Sequence, residues 1–395
     1  MSLRFEGNFT QQEPMPDASV AAAMAVMQHG RLHRYNLADD EVGETALLEQ
    51  EFAAFTGAPH ALAVASGGYA LATALRALQV PAGAPVLTNA FTLAPVPGAI
   101  ASVGARPVFV ETTEALTIDP DHLAAMARET GARVLMLSHM RGHQPDMDAT
   151  TALVCELGLT VIEDCAHTMG GMASGKVSGR HGAIACYSTQ TYKHINSGEG
   201  GLLITDDAEL AARAVLLSGS YMLYERNGTA PAAEAFEALR DVTPNVSGRM
   251  DNLRAAILRP QLADLPRQVA RWAALHDAMD AGLAQVEHLR LIECDPGLVR
   301  VGSSFQFRLP DHGPEQVEAF VARCATRGVE LKWFGAARAK GFTSTYRHWG
   351  YAPSPNLPQT DRVLAGLLDM RLPLTFSTED CAVIAQIIRE EVAGT

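Results

Sequence analysis

Short apolar runs alternate with amphipathic stretches through the first two thirds of the chain. The apolar runs predict strands at Ala61–Ala65, Ala84–Leu87, Arg106–Val110, Arg133–Ser138, Thr160–Glu163, Ile184–Ser188 and Gly201–Thr205. Helix-like periodicity falls between them, at Ala70–Leu78, Ala94–Ser102, Pro120–Glu129 and Asp146–Leu157, and again at Asp207–Ser218 after the last strand. Units that alternate in this way build a mostly parallel sheet with helices on both faces. Ligands of such sheets lie beyond the carboxyl ends of the strands, so the residues that follow each strand are the ones to read for chemistry.

After Ser218 the rhythm changes. Glu225–Ser247 is polar and rich in turn formers, and is expected to be a loop. Asp251–Glu287 predicts a long helix, with Leu253, Ala256, Ile257 and Leu262 as its apolar positions. Strands are then expected at Leu289–Glu293, Ser304–Leu309 and Val329–Trp333, with helices at Pro314–Arg327 and Thr378–Val392. The expected organisation is a large α/β domain over residues 1–250, followed by a long helix and a smaller α+β domain over 251–395.

The 395 residues are 48% hydrophobic and 19% charged, a globular profile with enough apolar chain for more than one core. Against 31 basic residues stand 44 acidic ones, and the formal net charge of -13 would repel a phosphate backbone, so no nucleic-acid partner is expected. A local basic pocket for a single phosphate remains compatible with that total. The six cysteines are scattered, without a C-x-x-C pair or zinc spacing. Met1–Asp17 has acidic residues and prolines where a signal peptide needs an apolar run. The long uncharged stretch Ala77–Ala105 is broken by Pro81, Pro85, Pro95 and Pro97, which argues against a membrane span. A reduced, soluble, cytoplasmic protein without a membrane partner is the expectation.

Three segments sit where chemistry is expected. Ser66-Gly67-Gly68-Tyr69 follows a strand and opens a helix; free amides and the helix dipole there attract an anion, although a glycine pair at such a turn also serves the backbone alone. It matches neither a Rossmann nor a Walker pattern. Glu163-Asp164-Cys165-Ala166-His167 places carboxylates at a strand end, where an acid either holds a cationic nitrogen or caps a helix, and His167 is equally readable as a core histidine. In Ser188-Thr189-Gln190-Thr191-Tyr192-Lys193-His194, a lysine follows an apolar strand within uncharged surroundings. Desolvation would lower its pKa and make it a usable amine nucleophile.

Taken in order, these segments resemble the DegT/DnrJ/EryC1/StrS aminotransferases. The anion cradle, the E-D-x-A-[HQ] pattern at residues 163–167, S-x-x-x-x-K at 188–193 and G-E-G-G at 198–201 all match that family. So do Leu48–Ala53 with Phe55-Thr56-Gly57, Gly104–Val110 with Ile118-Asp119-Pro120, the run His139–Asp148 (H-x-x-G-x-x-x-D-M-D), and Arg249-Met250 with Leu253 and Ala255–Ile257. The likeness covers about residues 20–265 and is only general beyond them.

The resemblance implies the pyridoxal-phosphate (PLP) fold type I, an aspartate-aminotransferase-like α/β architecture with a large and a small domain. It implies that Lys193 forms the Schiff base with PLP and then moves the proton, and that Asp164 pairs with the pyridinium nitrogen. Gly67, Gly68, the Tyr69 amide and Ser188 would hold the phosphate, Ala166 would pack on one ring face, and His167 would lie near the 3'-oxygen. The sequence departs from the family at three cofactor positions: Gly68 stands where Thr is usual, Leu93 (after Thr92) where an aromatic ring stacks, and Ser247 where an Asn reaches a neighbouring subunit's phosphate, with Asn245 close by. No metal site is expected.

The reaction implied is transfer of an amino group from glutamate or glutamine to a keto group of a sugar-like acceptor, in a homodimer whose sites are completed across the interface. A PLP-dependent sugar dehydratase and a non-catalytic binding protein on the same fold are the alternatives. Intact Lys193 and Asp164 favour transamination, since dehydratase relatives carry histidine in place of the lysine.

Overall fold

A computed structural model describes residues 3–38 and 40–394. Its centre is a seven-stranded sheet. In spatial order the strands are His60–Val64, Gly201–Thr205, Ile184–Ser188, Thr160–Asp164, Val134–Ser138, Pro85–Asn89 and Arg106–Val110. Only Gly201–Thr205 runs against its neighbours; the remaining pairings are parallel. The parallel strands are nearly all buried, as β-strands covered by helices on both faces must be. The chain has the α/β fold expected from its alternating pattern.

This topology places chemistry at one edge. Every strand but one ends at the same side, so Val64, Ser138, Asp164 and Ser188 lie along a common rim. The reversed strand begins there, and Gly201 pairs with both Val64 and Ser188. A Cβ on Gly201 would stand 2.5 Å from the Ser66 carbonyl group, so only glycine lets the sheet edge approach the turn that follows His60–Val64.

A second sheet is antiparallel, ordered Arg290–Leu291, Ser304–Arg308, Leu367–Arg371 and Lys332–Trp333. Helices Pro314–Thr326 and Thr378–Ala393 pack on it through Phe320, Cys324, Ile384 and Ile388. Phe5 and Phe9, from the start of the chain, enter this core and meet Phe376 edge-on at 5.0–5.1 Å. The helix Asn252–Leu283 joins the halves: Leu258, Leu262 and Leu265 lie in the core of the large sheet, and Leu275, Met279 and Leu283 in that of the small one.

Several elements differ from expectation. The long helix stops at Leu283, where Ala284 turns extended. The segment 225–247 follows on from a 3-10 turn at Tyr224–Arg226 and contains one α-helical turn, Glu234–Glu237, anchored by Phe236, which stacks on Tyr224 at 4.0 Å. Helices Asp17–His29 and Pro358–Ala365 and the strand Leu367–Arg371 carried no sequence expectation. In Leu367–Arg371 the buried Asp369 interrupts the apolar run and hides the strand pattern. Among the described residues no helix is long and apolar enough to cross a membrane.

Candidate active site

The Ser66 turn forms as a helix N-terminus should. Ser66 caps Gly67–Ala77, its Oγ accepting the Tyr69 N–H at 3.1 Å. Tyr69 is therefore engaged already, and its phenol turns away to donate to the Leu217 carbonyl at 3.2 Å. The Gly67 and Gly68 amides stay in the first turn, beyond the reach of any carbonyl of their own helix. Gly67 is packed tightly on Ser188, whose Cβ would be 2.8 Å from an added Cβ. Gly68 faces open space, with Pro95 Cβ nearest at 3.8 Å. The two glycines and the Ser188 hydroxyl thus make one polar cradle with a partial positive charge.

On the next strands, alternation divides the two acids. Glu163 points into the protein and accepts from His139 at 3.0 Å and from the amides of His181 and Gly182 at 2.8 and 2.6 Å. Burial alone would raise its carboxyl, but the hydrogen bonds from His139 and His181 outweigh burial and hold it well below the usual range. Glu163 is a structural acid. Asp164 points to the rim, its Oδ1 accepting from Ala166 N at 3.1 Å and its Oδ2 from Ser138 Oγ at 2.8 Å. Ser138 in turn accepts from Thr92 Oγ1 at 2.8 Å, so three strand ends support this one carboxylate.

Lys193 follows a short turn after Ile184–Ser188 and opens onto a cleft also lined by Arg141, His167, Tyr192, His194, Ser303 and Arg371. Burial pulls its amine down to about 7; Asp164 opposes the shift, and Arg141 and Arg371 reinforce it. The His167 ring, 2.8 Å away at Nε2, is held well below its usual pKa by burial and by Lys193, and so accepts from the amine as a neutral imidazole. His194 is likewise lowered, to about 3, by burial and Lys193; its Nε2 meets Ser303 Oγ at 3.0 Å. A carboxylate, a near-neutral amine and an anion cradle on a single rim are the parts needed to bind a phosphorylated carbonyl compound with a basic ring nitrogen.

The remaining expected residues are placed differently. Leu93 is half-buried against Phe91 and its apolar neighbours, and Phe91 packs edge-on to Phe334 at 5.2 Å, so neither is a free aromatic face. Asn245 and Ser247 are exposed and line no part of the Lys193 cleft. Their loop is tied beside the cradle helix: Asn245 Oδ1 accepts from Ser247 N at 3.0 Å, and Ser247 Oγ from Arg249 at 2.8 Å. Arg141 and Arg371 also line the cleft, beyond the residues the sequence motifs indicate. Arg371 ends the strand that Asp369 disguised, and a cation closing an otherwise apolar run before Leu372-Pro373-Leu374 is the signal that could have found it.

Comparison with known proteins bears on the family and the fold. The family model of the DegT/DnrJ/EryC1/StrS aminotransferases matches residues 19–389. The chain is similar to 3-amino-5-hydroxybenzoate synthase of Amycolatopsis mediterranei, 29% identical over 100% of both chains. It is also similar to dTDP-3-amino-3,4,6-trideoxy-alpha-D-glucose transaminase of Streptomyces venezuelae, 34% identical over 67% of this chain and 65% of that one. Among solved structures, 3-amino-5-hydroxybenzoic acid (AHBA) synthase superposes with a TM-score of 0.83, at 26% identity and with 100% of both chains covered.

Proposed function

The chain belongs to the DegT/DnrJ/EryC1/StrS aminotransferase family, whose cofactor is pyridoxal phosphate, and on that premise we propose that it moves an amino group from glutamate or glutamine to a ring ketone, through Lys193. The acceptor is a sugar or a sugar-like carbocycle. The observation that carries the reading is the rim itself: Lys193, with its amine lowered to about 7, faces Asp164 across the end of the sheet, beside the Gly67–Gly68 cradle.

The residues fit the cofactor. Gly67, Gly68 and Ser188 offer donors for a phosphate, Asp164 an acceptor for a ring nitrogen, and Ala166 a small side chain on the same turn. When bound, pyridoxal phosphate supplies an electrophilic carbonyl and a sink for electrons. Lys193 would supply the amine that joins the cofactor carbonyl, because burial lowers it to about 7 and so leaves a usable unprotonated fraction at neutral pH. With the cofactor bound, the same amine would be placed to take up and return a proton at the reacting carbon. His167 keeps the amine oriented by accepting from it. Asp164, fixed by Ser138 and the Ala166 amide, would hold the positive charge of the ring nitrogen in place.

We further propose a homodimer. Asn245 and Ser247 are exposed beside the cradle, where they can serve a neighbouring subunit. Val20, Met24 and Met27 share one face of Asp17–His29 and are 46%, 53% and 65% exposed, an apolar stripe that a second copy would cover.

An absorbance spectrum with PLP, before and after L-glutamate, tests the function for the parent and Lys193→Ala. The expected result is a visible band that glutamate bleaches in the parent and that does not form normally in the variant. A parent without the band would overturn the reading.

A further inference from the structure

On the side of the sheet that Glu163 faces, four ligating side chains from three separate segments meet. His139 follows the strand Val134–Ser138, Glu163 and Cys165 flank Asp164, and His181 lies on the loop before Ile184–Ser188. A ring nitrogen of His139, a carboxylate oxygen of Glu163 and the Cys165 Sγ all lie within 4.8 Å of one another. All three side chains are buried. His181 joins them with its side chain 2% exposed: its Nδ1 stands 3.8 Å from Glu163 Oε2, the atom that meets His139 Nε2 at 3.0 Å.

This cluster is short of partners. Neither ring nitrogen of His181, nor Nδ1 of His139, has a hydrogen-bond partner among the described residues. Cys165 Sγ accepts from Ser178 Oγ at a long 3.6 Å. Buried polar atoms are paired almost without exception, so an imidazole buried with both nitrogens free calls for a missing group. Backbone donors meanwhile fix the carboxylate. Glu163 Oε1 accepts from the amides of His181 and Gly182 at 2.8 and 2.6 Å, and Oε2 from Gly179 at 3.3 Å. Bonds of that kind orient a metal-ligating carboxylate from behind.

We propose that His139, Glu163, Cys165 and His181 bind one structural zinc ion. Two imidazoles, a thiolate and a carboxylate are the nitrogen, sulfur and oxygen donors that Zn2+ takes in closed tetrahedral sites. The thiolate and the carboxylate neutralise the ion, so the filled site adds no net charge to the core. Zinc bonds of about 2.0–2.3 Å set tetrahedral ligand atoms roughly 3.3–3.7 Å apart. The observed 3.0 and 3.8 Å lie close to that span. Zinc would replace the proton between His139 and Glu163, and His139 stays neutral by carrying its proton on Nδ1. Cys165 loses its thiol proton to solvent, one per ion bound. The ion would clamp the loop of His181 to the strand end that presents Asp164. Cysteine spacing gave no sign of such a site, because only Glu163 and Cys165 are close in sequence.

Zinc analysis by plasma emission tests the site on the full-length, PLP-treated protein, produced with added Zn2+ and dialysed against a weak chelator. The parent, His181→Asn, Cys165→Ser and the exposed-cysteine control Cys294→Ser are compared. About one ion per chain is expected in the parent and the control, with at least a roughly ten-fold loss in each site variant. Urea titration supplies a second readout. Free Zn2+ at about 100 times its dissociation constant should raise the folding equilibrium of the parent about 100-fold, and leave that of His181→Asn unchanged. Should a site variant fail to fold, the parent refolded with Co2+ decides, through a thiolate-to-cobalt absorption band. A parent without zinc, zinc kept equally by both site variants, or a cobalt complex without that band overturns the proposal. None of these outcomes bears on the aminotransferase reading, which the cofactor band tests separately.

Discussion

Lys193 Nζ stands 2.8 Å from His167 Nε2, and the two groups share one desolvated cleft in which both are pushed towards their neutral forms. Burial is the leading cause for each; Lys193 further disfavours a proton on His167, and Arg141 and Arg371 further disfavour one on Lys193. Above about pH 7 the pair is an amine donating to an imidazole. That is the state a nucleophilic lysine needs.

A titration near neutrality follows. Capture of PLP is expected to accelerate as pH rises through about 7 and to level off above it, read as growth of the cofactor band from about pH 5.5 to 8.5. Stability has the matching sign. The folded lysine titrates near 7, below its ordinary 10.5, so between those values the unfolded chain binds more protons and stability rises with pH. Without cofactor, Lys193→Met should gain most over the parent below pH 7 and lose that advantage by pH 10.5.

Asp164 owes its orientation to Ser138. Ser138→Ala removes one of the two described donors to that carboxylate and leaves Ala166 N. About 1 kcal/mol of stability should be lost, with a roughly ten-fold slower glutamate half-reaction. Asp164→Asn should slow it by about 100- to 1000-fold. Single-turnover absorbance measures both, and equal effects of the two substitutions would contradict the assigned roles.

The two cradle glycines should behave in opposite ways. An alanine at Gly67 would collide with Ser188, and PLP binding is expected to weaken at least about ten-fold. Gly68 has room, so Gly68→Thr adds a hydroxyl donor and should tighten binding by about three- to ten-fold. Fluorescence titration with PLP distinguishes the pair.

Arg34 and Glu49 form a bidentate ion pair at 2.9–3.0 Å, with side chains 1% and 0% exposed. Glu49 also accepts the amides of Ala63 and Gly228, tying the first strand to the loop before Asn252–Leu283. Arg34→Met strands a buried carboxylate and should cost about 3–5 kcal/mol in urea unfolding.

For the proposed dimer, light scattering at micromolar concentration should give twice the 42.1 kDa of the chain. Met24→Asp, placed in the middle of the exposed stripe, should shift the mass towards one chain. An unaltered mass would move the interface elsewhere.

Most of the large sheet could be read from the amino-acid order because its signals are local. An apolar run such as Ile184–Ser188 or Arg106–Val110 reports its own burial, and a serine before two glycines reports a helix start. The strand Leu367–Arg371 could not be read this way, because Asp369 is buried only by virtue of distant Arg141 and Gln306, and no nearby residue announces them.

The sequence by itself therefore determined the α/β class, and it put the candidate lysine, acid and cradle at strand ends, since each follows a strand whose character is written in adjacent residues. Tertiary structure decided the rest. It turned Glu163 inward and Asp164 to the rim, packed Tyr69 against the core and buried Phe91 in it, and set Ser138 under Asp164. It also brought Arg371 from the end of the chain to the face of Tyr192. Desolvation and charge pairing depend on which groups share a cavity, and residues 141, 192 and 371 share one only after the two sheets have packed together.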